Sequence, residues 1–166
     1  MDILRKILSQ EKTDTGIHVG EAYILWTQLQ AWYDVLEVTE ICINYARDTD
    51  LKLLLDQGIS KLINKNIHVL ENSLKHFQIT FPPRPPKAFK TPSDTETLRD
   101  EFIFRLIFDI SQASLLFHAK AINICINDSL RNLFMNFLTS EMHAYDNLVK
   151  YGKSKGWVHP APVYKQ

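Results

Sequence analysis

Apolar residues recur at spacings of three and four along most of the chain, the period of helices that bury one face. Between His18 and Arg47, Val19, Ala22, Trp26, Leu29, Tyr33, Leu36, Glu40 and Ile43 trace one such seam, and Asp14 or Thr15 is placed to cap its start. After a short polar link, Asp48 to Asp50, the residues Leu51, Leu55, Ile59, Leu62, Val69 and Leu70 predict a second helix over 51–77. Its opposite face, Lys61, Asn64, Lys65, His68, Asn72 and Lys75, reads as solvated. From 80 to 94 the pattern stops at Pro82, Pro83, Pro85, Pro86 and Pro92, since proline has no amide hydrogen to donate. A third helix is predicted over 95–127, with Ser93 and Glu96 spaced as a capping box. The fourth, over 129–154, has Leu130, Leu133, Phe134, Phe137, Leu138, Glu141, Tyr145, Leu148 and Val149 as its seam. Strands and hairpins need frequent turn residues, but the chain has 5 glycines and only Gly58 lies between Gly20 and Gly152. The fold class is all-α.

The links suggest the topology. Helices one and two, and three and four, are joined by so few residues that each pair forms an antiparallel hairpin. A helix of this length runs about 45 Å, and an extended connector of some fifteen residues spans about 50 Å. The connector is therefore able to cross the bundle, giving a ferritin-like four-helix bundle of two antiparallel hairpins joined by a Pro-rich crossover. A connector lying across one end would instead give simple up-down order. At 166 residues the expectation is one domain over 1–166.

Composition narrows the function classes. Nineteen basic residues balance 19 acidic ones, so no global field attracts nucleic acid or an anionic membrane. The stretch Phe102 to Ala119 is apolar-rich but interrupted by Arg105, Asp109, Gln112 and His118, and Met1 to Gln10 lacks the apolar core of a signal peptide. Cys42 and Cys125 lie in apolar helical stretches without a Cys-x-x-Cys spacing, as reduced intracellular thiols do. The expectation is a cytoplasmic protein with no nucleic acid or membrane partner.

Several short motifs occur together: Glu21, Leu25, Trp26 and Tyr33; Gly58; Phe81-Pro82-Pro83; Ser129-Leu130-Arg131; Glu141 and Tyr145; and Gly156-Trp157 before a proline tail. In this order the chain resembles, over nearly its whole length, a ferritin-like family of spore-forming bacteria that has no assigned function and is related to the spore coat protein F type. The resemblance implies the fold, a spore setting and spore coat proteins as partners; it implies no reaction.

The ferritin-like fold raises the di-iron question, because such centres draw a Glu-x-x-His motif from each of two helices and a Glu from each of the others. Three residues after Glu21, Glu37, Glu40, Glu71, Glu101 and Glu141 stand Ile24, Glu40, Ile43, Leu74, Phe104 and Ala144, so the motif is missing there. No cofactor is expected; if a metal ion binds, two sets are candidates. In a crossover bundle Glu37, Asp109 and Glu141 fall within about two turns along the axis, a metal or acid/base cluster. The structural reading pairs Arg105 with Asp109 and has Glu141 accept from Tyr33 or reach the rim. The second set is His18, Glu21 and His118, for which helix capping and a core histidine are the structural alternative. His68 and His143 read as solvated. There is no Gly-x-Ser-x-Gly, no glycine-rich phosphate loop and no histidine in the turn of either cysteine. The aromatic residues recur at helical spacing, as packing requires. Phe102, Ile103, Phe104, Leu106, Ile107, Phe108 and Ile110 nevertheless surround helix three, which predicts a homodimer interface there, on helix three alone or together with helix one, sensitive to charge at Phe104 or Phe108. The favoured reading is a non-catalytic, self-associating helical protein; the alternative is a metal-binding ferritin-like protein or enzyme with a non-standard carboxylate and histidine site.

Overall fold

The structure is a computed structural model and describes residues 16–85, 98–159 and 161–162. All regular structure among them is helical: α1 (Val19–Tyr45), α2 (Thr49–Gly58), a π turn (Ile59–Ile63), α3 (Asn64–His76), α4 (Asp100–Ile124) and α5 (Asp128–Lys155). α2, the π turn and α3 follow one another without a break and form the second helix of a four-helix bundle.

Contacts at the two ends establish the crossover. The Glu21 carboxylate at the start of α1 accepts from the backbone N–H groups of Ile126 and Asn127, which follow α4. At the other end Asp100, which opens α4, accepts from the N–H groups of Arg47 and Asp48 just past α1. α1 and α4 are therefore antiparallel neighbours. Since α3 ends beside the start of α1 and α4 begins beside its end, the two helices that the connector joins end and begin at opposite ends of the bundle. Its described part reaches halfway: the Arg84 guanidinium lies 5.1 Å from the ring of Tyr33, midway along α1.

The helix ends match the expected ones within a few residues, with three differences. α1 is capped by His18: its Nδ1 accepts from the N–H of Gly20 and Glu21, while the Glu21 carboxylate accepts from the N–H of His18. Asp14 and Thr15 lie outside the described residues. α4 begins at Asp100, after the non-helical Leu98 and Arg99, and Arg99 supplies no side-chain cap; Ser93 and Glu96 are outside the described residues. The third difference is the π turn, which leaves no mark in the hydrophobic period.

The core runs the length of the bundle. Leu25, Leu29, Leu70, Leu74, Ile103, Ala121 and Phe134 are at most 1% exposed. The buried face of α1 differs from the expected seam. Its buried residues are Glu21, Ile24, Leu25, Gln28, Leu29, Trp32, Tyr33, Thr39 and Cys42, while Val19 is 87% exposed. A helix covered by two neighbours is apolar round much of its circumference, so several tracks of three and four run along it. α5 ends in a Schellman motif: the N–H of Trp157 donates to the carbonyl of Gly152, that of Gly156 to Lys153, and Gly156 takes φ +71°. A Cβ on Gly152 would lie 2.2 Å from Phe104 Cζ, so this glycine is what lets α4 and α5 approach.

α4 is long and apolar enough, by length and composition, to cross a membrane, and here it packs as a bundle helix on α1 and α5. Its apolar girdle is mostly spent inside the chain, contrary to the expected role of Phe104 and Phe108. Phe104 is 1% exposed against Phe108, Tyr151 and Trp157, and Phe108 packs on Tyr145. The large apolar residues of α4 left exposed are Phe102 at 43% and Leu116 at 76%.

Candidate functional site

The two candidate sets come apart in the fold. In the first, Glu37 faces the connector in a cleft shared with Tyr33, Leu36, Glu40, Asn64, Arg84 and Pro85, and Asp109 is exposed. Only Glu141 points inward, at 4% exposure. The rotation of α1 is the cause: Trp32, Val35 and Thr39 take the inward side, which leaves Glu37 and Glu40 outside. The expected partners also change. Ser111 Oγ donates to Glu141 Oε1 at 2.6 Å, Tyr33 donates to Glu71 at 2.7 Å, and Arg105 pairs with Glu101 at 3.2 Å instead of Asp109. Sequence reasoning marked Glu141 but found neither Ser111 nor Glu71.

In the second set His18 and Glu21 form the α1 cap and lock it to the α4–α5 turn. Glu21 Oε1 accepts from the N–H of Ile126 and of Asn127, each at 2.7 Å, and Oε2 from that of His18 at 3.0 Å. Burial pushes the Glu21 carboxyl up, but the N–H groups of Asn127, His18 and Ile126 outweigh it and hold it below the ordinary range. His118 stands apart from this cap, stacked on Trp32 and surrounded by Phe117, Phe134 and Phe137. It is fully buried, neither ring nitrogen has a hydrogen-bond partner, and burial lowers its pKa to about 4. It is a neutral core imidazole at physiological pH.

These residues do not fit a di-metal centre. Each ion of such a centre needs several oxygen or nitrogen donors converging on it, and Glu141 and His118 are an isolated carboxyl and an isolated imidazole. Among the described residues no group of three or more His, Cys, Asp or Glu side chains is placed to hold a metal ion. Nucleophilic chemistry fares no better: Cys42 and Cys125 are both buried, and the Cys125 thiol is pushed up to about 11, first by burial and then by the charge of Glu21.

What the middle of the bundle does hold is a pocket of about 430 Å³ lined by all four bundle helices. Glu141, Ser111, Ser114, Thr39 and Asn66 give it polar groups; Trp32, Val35, Leu55, Leu62, Ile107 and Leu148 give it apolar walls. The π turn forms part of one side, and extra-residue turns of this kind often mark functional sites. Glu141 Oε2, Asn66 Nδ2 and Trp32 Nε1 are buried without a hydrogen-bond partner. Burial raises the Glu141 pKa, and the Ser111 hydrogen bond only partly opposes it. The sequence signal for this space is faint: small residues at Ser111, Ser114, Ser140 and Ala144 on facing turns of helices three and four. His143, read as merely solvated, is exposed and lines the pocket's mouth.

Comparison with known proteins agrees with this architecture. The model of a family described as proteins of unknown function (DUF3231) matches residues 5–166. The chain belongs to that family. A relative in Bacillus subtilis, the uncharacterized protein YvdQ, is 26% identical over 165 residues, which is 96% of each chain. Among solved structures, that of a candidate spore coat protein from Bacillus halodurans superposes with TM-score 0.88 at 25% identity, over 92% of this DUF3231 chain and 98% of the other. A two-domain protein from Anabaena variabilis, containing DJ-1/ThiJ/PfpI-like and ferritin-like domains, matches 91% of this chain with 42% of its own, at TM-score 0.67 and 17% identity. That likeness supports the ferritin-like bundle as a fold.

Proposed function

We propose that this DUF3231 protein is a non-catalytic helical bundle, cytoplasmic or packaged in the spore, that pairs with a second copy of itself and takes spore coat proteins as partners. The observation that carries this reading is the apolar surface left on two antiparallel neighbours. α4 exposes Phe102 and Leu116, and α1 exposes Val19 and Tyr23, at 87% and 67% for the latter two. Leu116, Val19 and Tyr23 lie toward the same end of the bundle, where α1 begins and α4 ends. Apolar residues gathered on neighbouring helices are what a second copy covers. The candidate spore coat protein of Bacillus halodurans, so similar in fold, supports the spore setting. The scattered carboxylates and imidazoles support a role without metal chemistry.

Sedimentation velocity tests the pairing. The protein should sediment as a dimer, and Tyr23→Glu with Leu116→Glu should convert it to a monomer of unchanged helix content. A monomeric parent protein would end the self-association reading. Elemental analysis of protein purified without chelator or affinity metal should find well under one ion per chain; stoichiometric iron, manganese or zinc would overturn the non-catalytic reading.

A further inference from the structure

The pocket in the middle of the bundle remains without a role in that reading, and its chemistry is specific. Three of the residues that line it each keep one polar atom shut off from solvent and unpartnered: Glu141 Oε2, Asn66 Nδ2 and Trp32 Nε1. A buried polar atom without a partner costs on the order of 1–3 kcal/mol. A molecule bound in the space these three residues surround would satisfy them once their side chains turn toward it. The volume, about 430 Å³, falls within the range of small-molecule sites, which are mostly apolar with a few polar groups that fix orientation.

We propose that this pocket binds a small uncharged amphiphile, with an apolar body lying along the aliphatic walls and a head group that both accepts and donates hydrogen bonds. The head accepts from the N–H donors of Trp32 and Asn66 and donates to Glu141, whose other oxygen is already held by Ser111. A primary amide or an alcohol meets that demand. A cationic ammonium head is disfavoured because it has no lone pair with which to accept from the N–H donors of Trp32 and Asn66. An anionic head is disfavoured because it would meet the Glu141 carboxyl at the inner end. The π turn widens the second helix beside the pocket, and Ser111, Ser114, Ser140 and Ala144 keep the α4 and α5 sides shallow.

Titration calorimetry with octanamide, octylammonium and octanoate as probes, on the full chain, tests this. Octanamide should bind saturably at one per chain, and Ala144→Phe, which fills the pocket, should abolish binding. Glu141→Met should weaken it about tenfold or more, the loss of a hydrogen bond worth about 1.4 kcal/mol. Absence of saturable octanamide binding to the parent protein overturns the proposal, as does binding undiminished in both variants. Tighter binding of octylammonium or of octanoate overturns the uncharged head. If Ala144→Phe does not fold, Glu141→Met decides: unchanged affinity there rejects the assignment.

Discussion

Two buried glutamates, one at the end of the bundle where α1 begins and one halfway along α5, show how differently the same side chain is used. Glu21 is 2% exposed and both its oxygens accept from backbone N–H groups, two of them across 105 and 106 residues of chain. Glu141 is 4% exposed, is held by one serine hydroxyl, and leaves an oxygen unpaired at a pocket. Folding pulls their carboxyls in opposite directions, Glu21 below the ordinary range and Glu141 above it. A buried carboxylate that collects N–H donors stabilises the fold; one that does not is a cost the fold carries for another purpose. The opposite end of the bundle repeats the first pattern, with Asp48 accepting from Lys155 and from the N–H groups of Asp50 and Leu51. Both ends are clasped by satisfied polar groups, and the unsatisfied ones lie between them.

The contrast makes graded predictions. Glu21→Ala should cost most, about 4 kcal/mol in urea unfolding, because it removes the one carboxylate that accepts from the part-buried N–H groups of His18, Ile126 and Asn127. Gly152→Ala should cost about 3 kcal/mol by the same measurement, since its Cβ would meet Phe104 Cζ at 2.2 Å and Val158 Cγ2 at 2.6 Å. A smaller effect comes from His118. Its folded pKa of about 4 lies below the ordinary 6.5, so as the pH falls the unfolded chain takes up the proton first. Its contribution is intact above 6.5 and is lost as the pH falls toward 4. Between pH 7 and pH 5 that amounts to about 2 kcal/mol, and His118→Leu should lose stability over this interval by about that much less than the parent.

Much of this could be read from the chain before the fold was known. The helices declared themselves through their apolar period, and the proline run left the second hairpin free to start at the far end. Glu141 stood out because it interrupts the α5 seam, and His118 because its neighbours are small and apolar. What the chain withheld depends on rotation about helix axes. α1 is apolar on several tracks, so Glu40 was read into the seam while Glu37 seemed to face Glu141; a turn of the helix puts both beside Arg84. Tyr33 and Glu141 looked like partners, but each found a neighbour whose position depends on packing angles: Glu71 on α3 and Ser111 on α4. The π turn breaks the register of the second helix without altering its composition, so the pocket it helps to open had no strong signature.

Glu141→Met tests the central contrast most directly, through the stability of the variant in urea against that of the parent at pH 7. Methionine keeps the length of the side chain and removes the buried carboxyl, so the variant should be as stable as the parent or more stable, while Glu21→Ala is strongly destabilised. A loss of about 2 kcal/mol or more in Glu141→Met would mean that this carboxyl holds the fold together as Glu21 does, and would contradict the division between clasped ends and a functional middle.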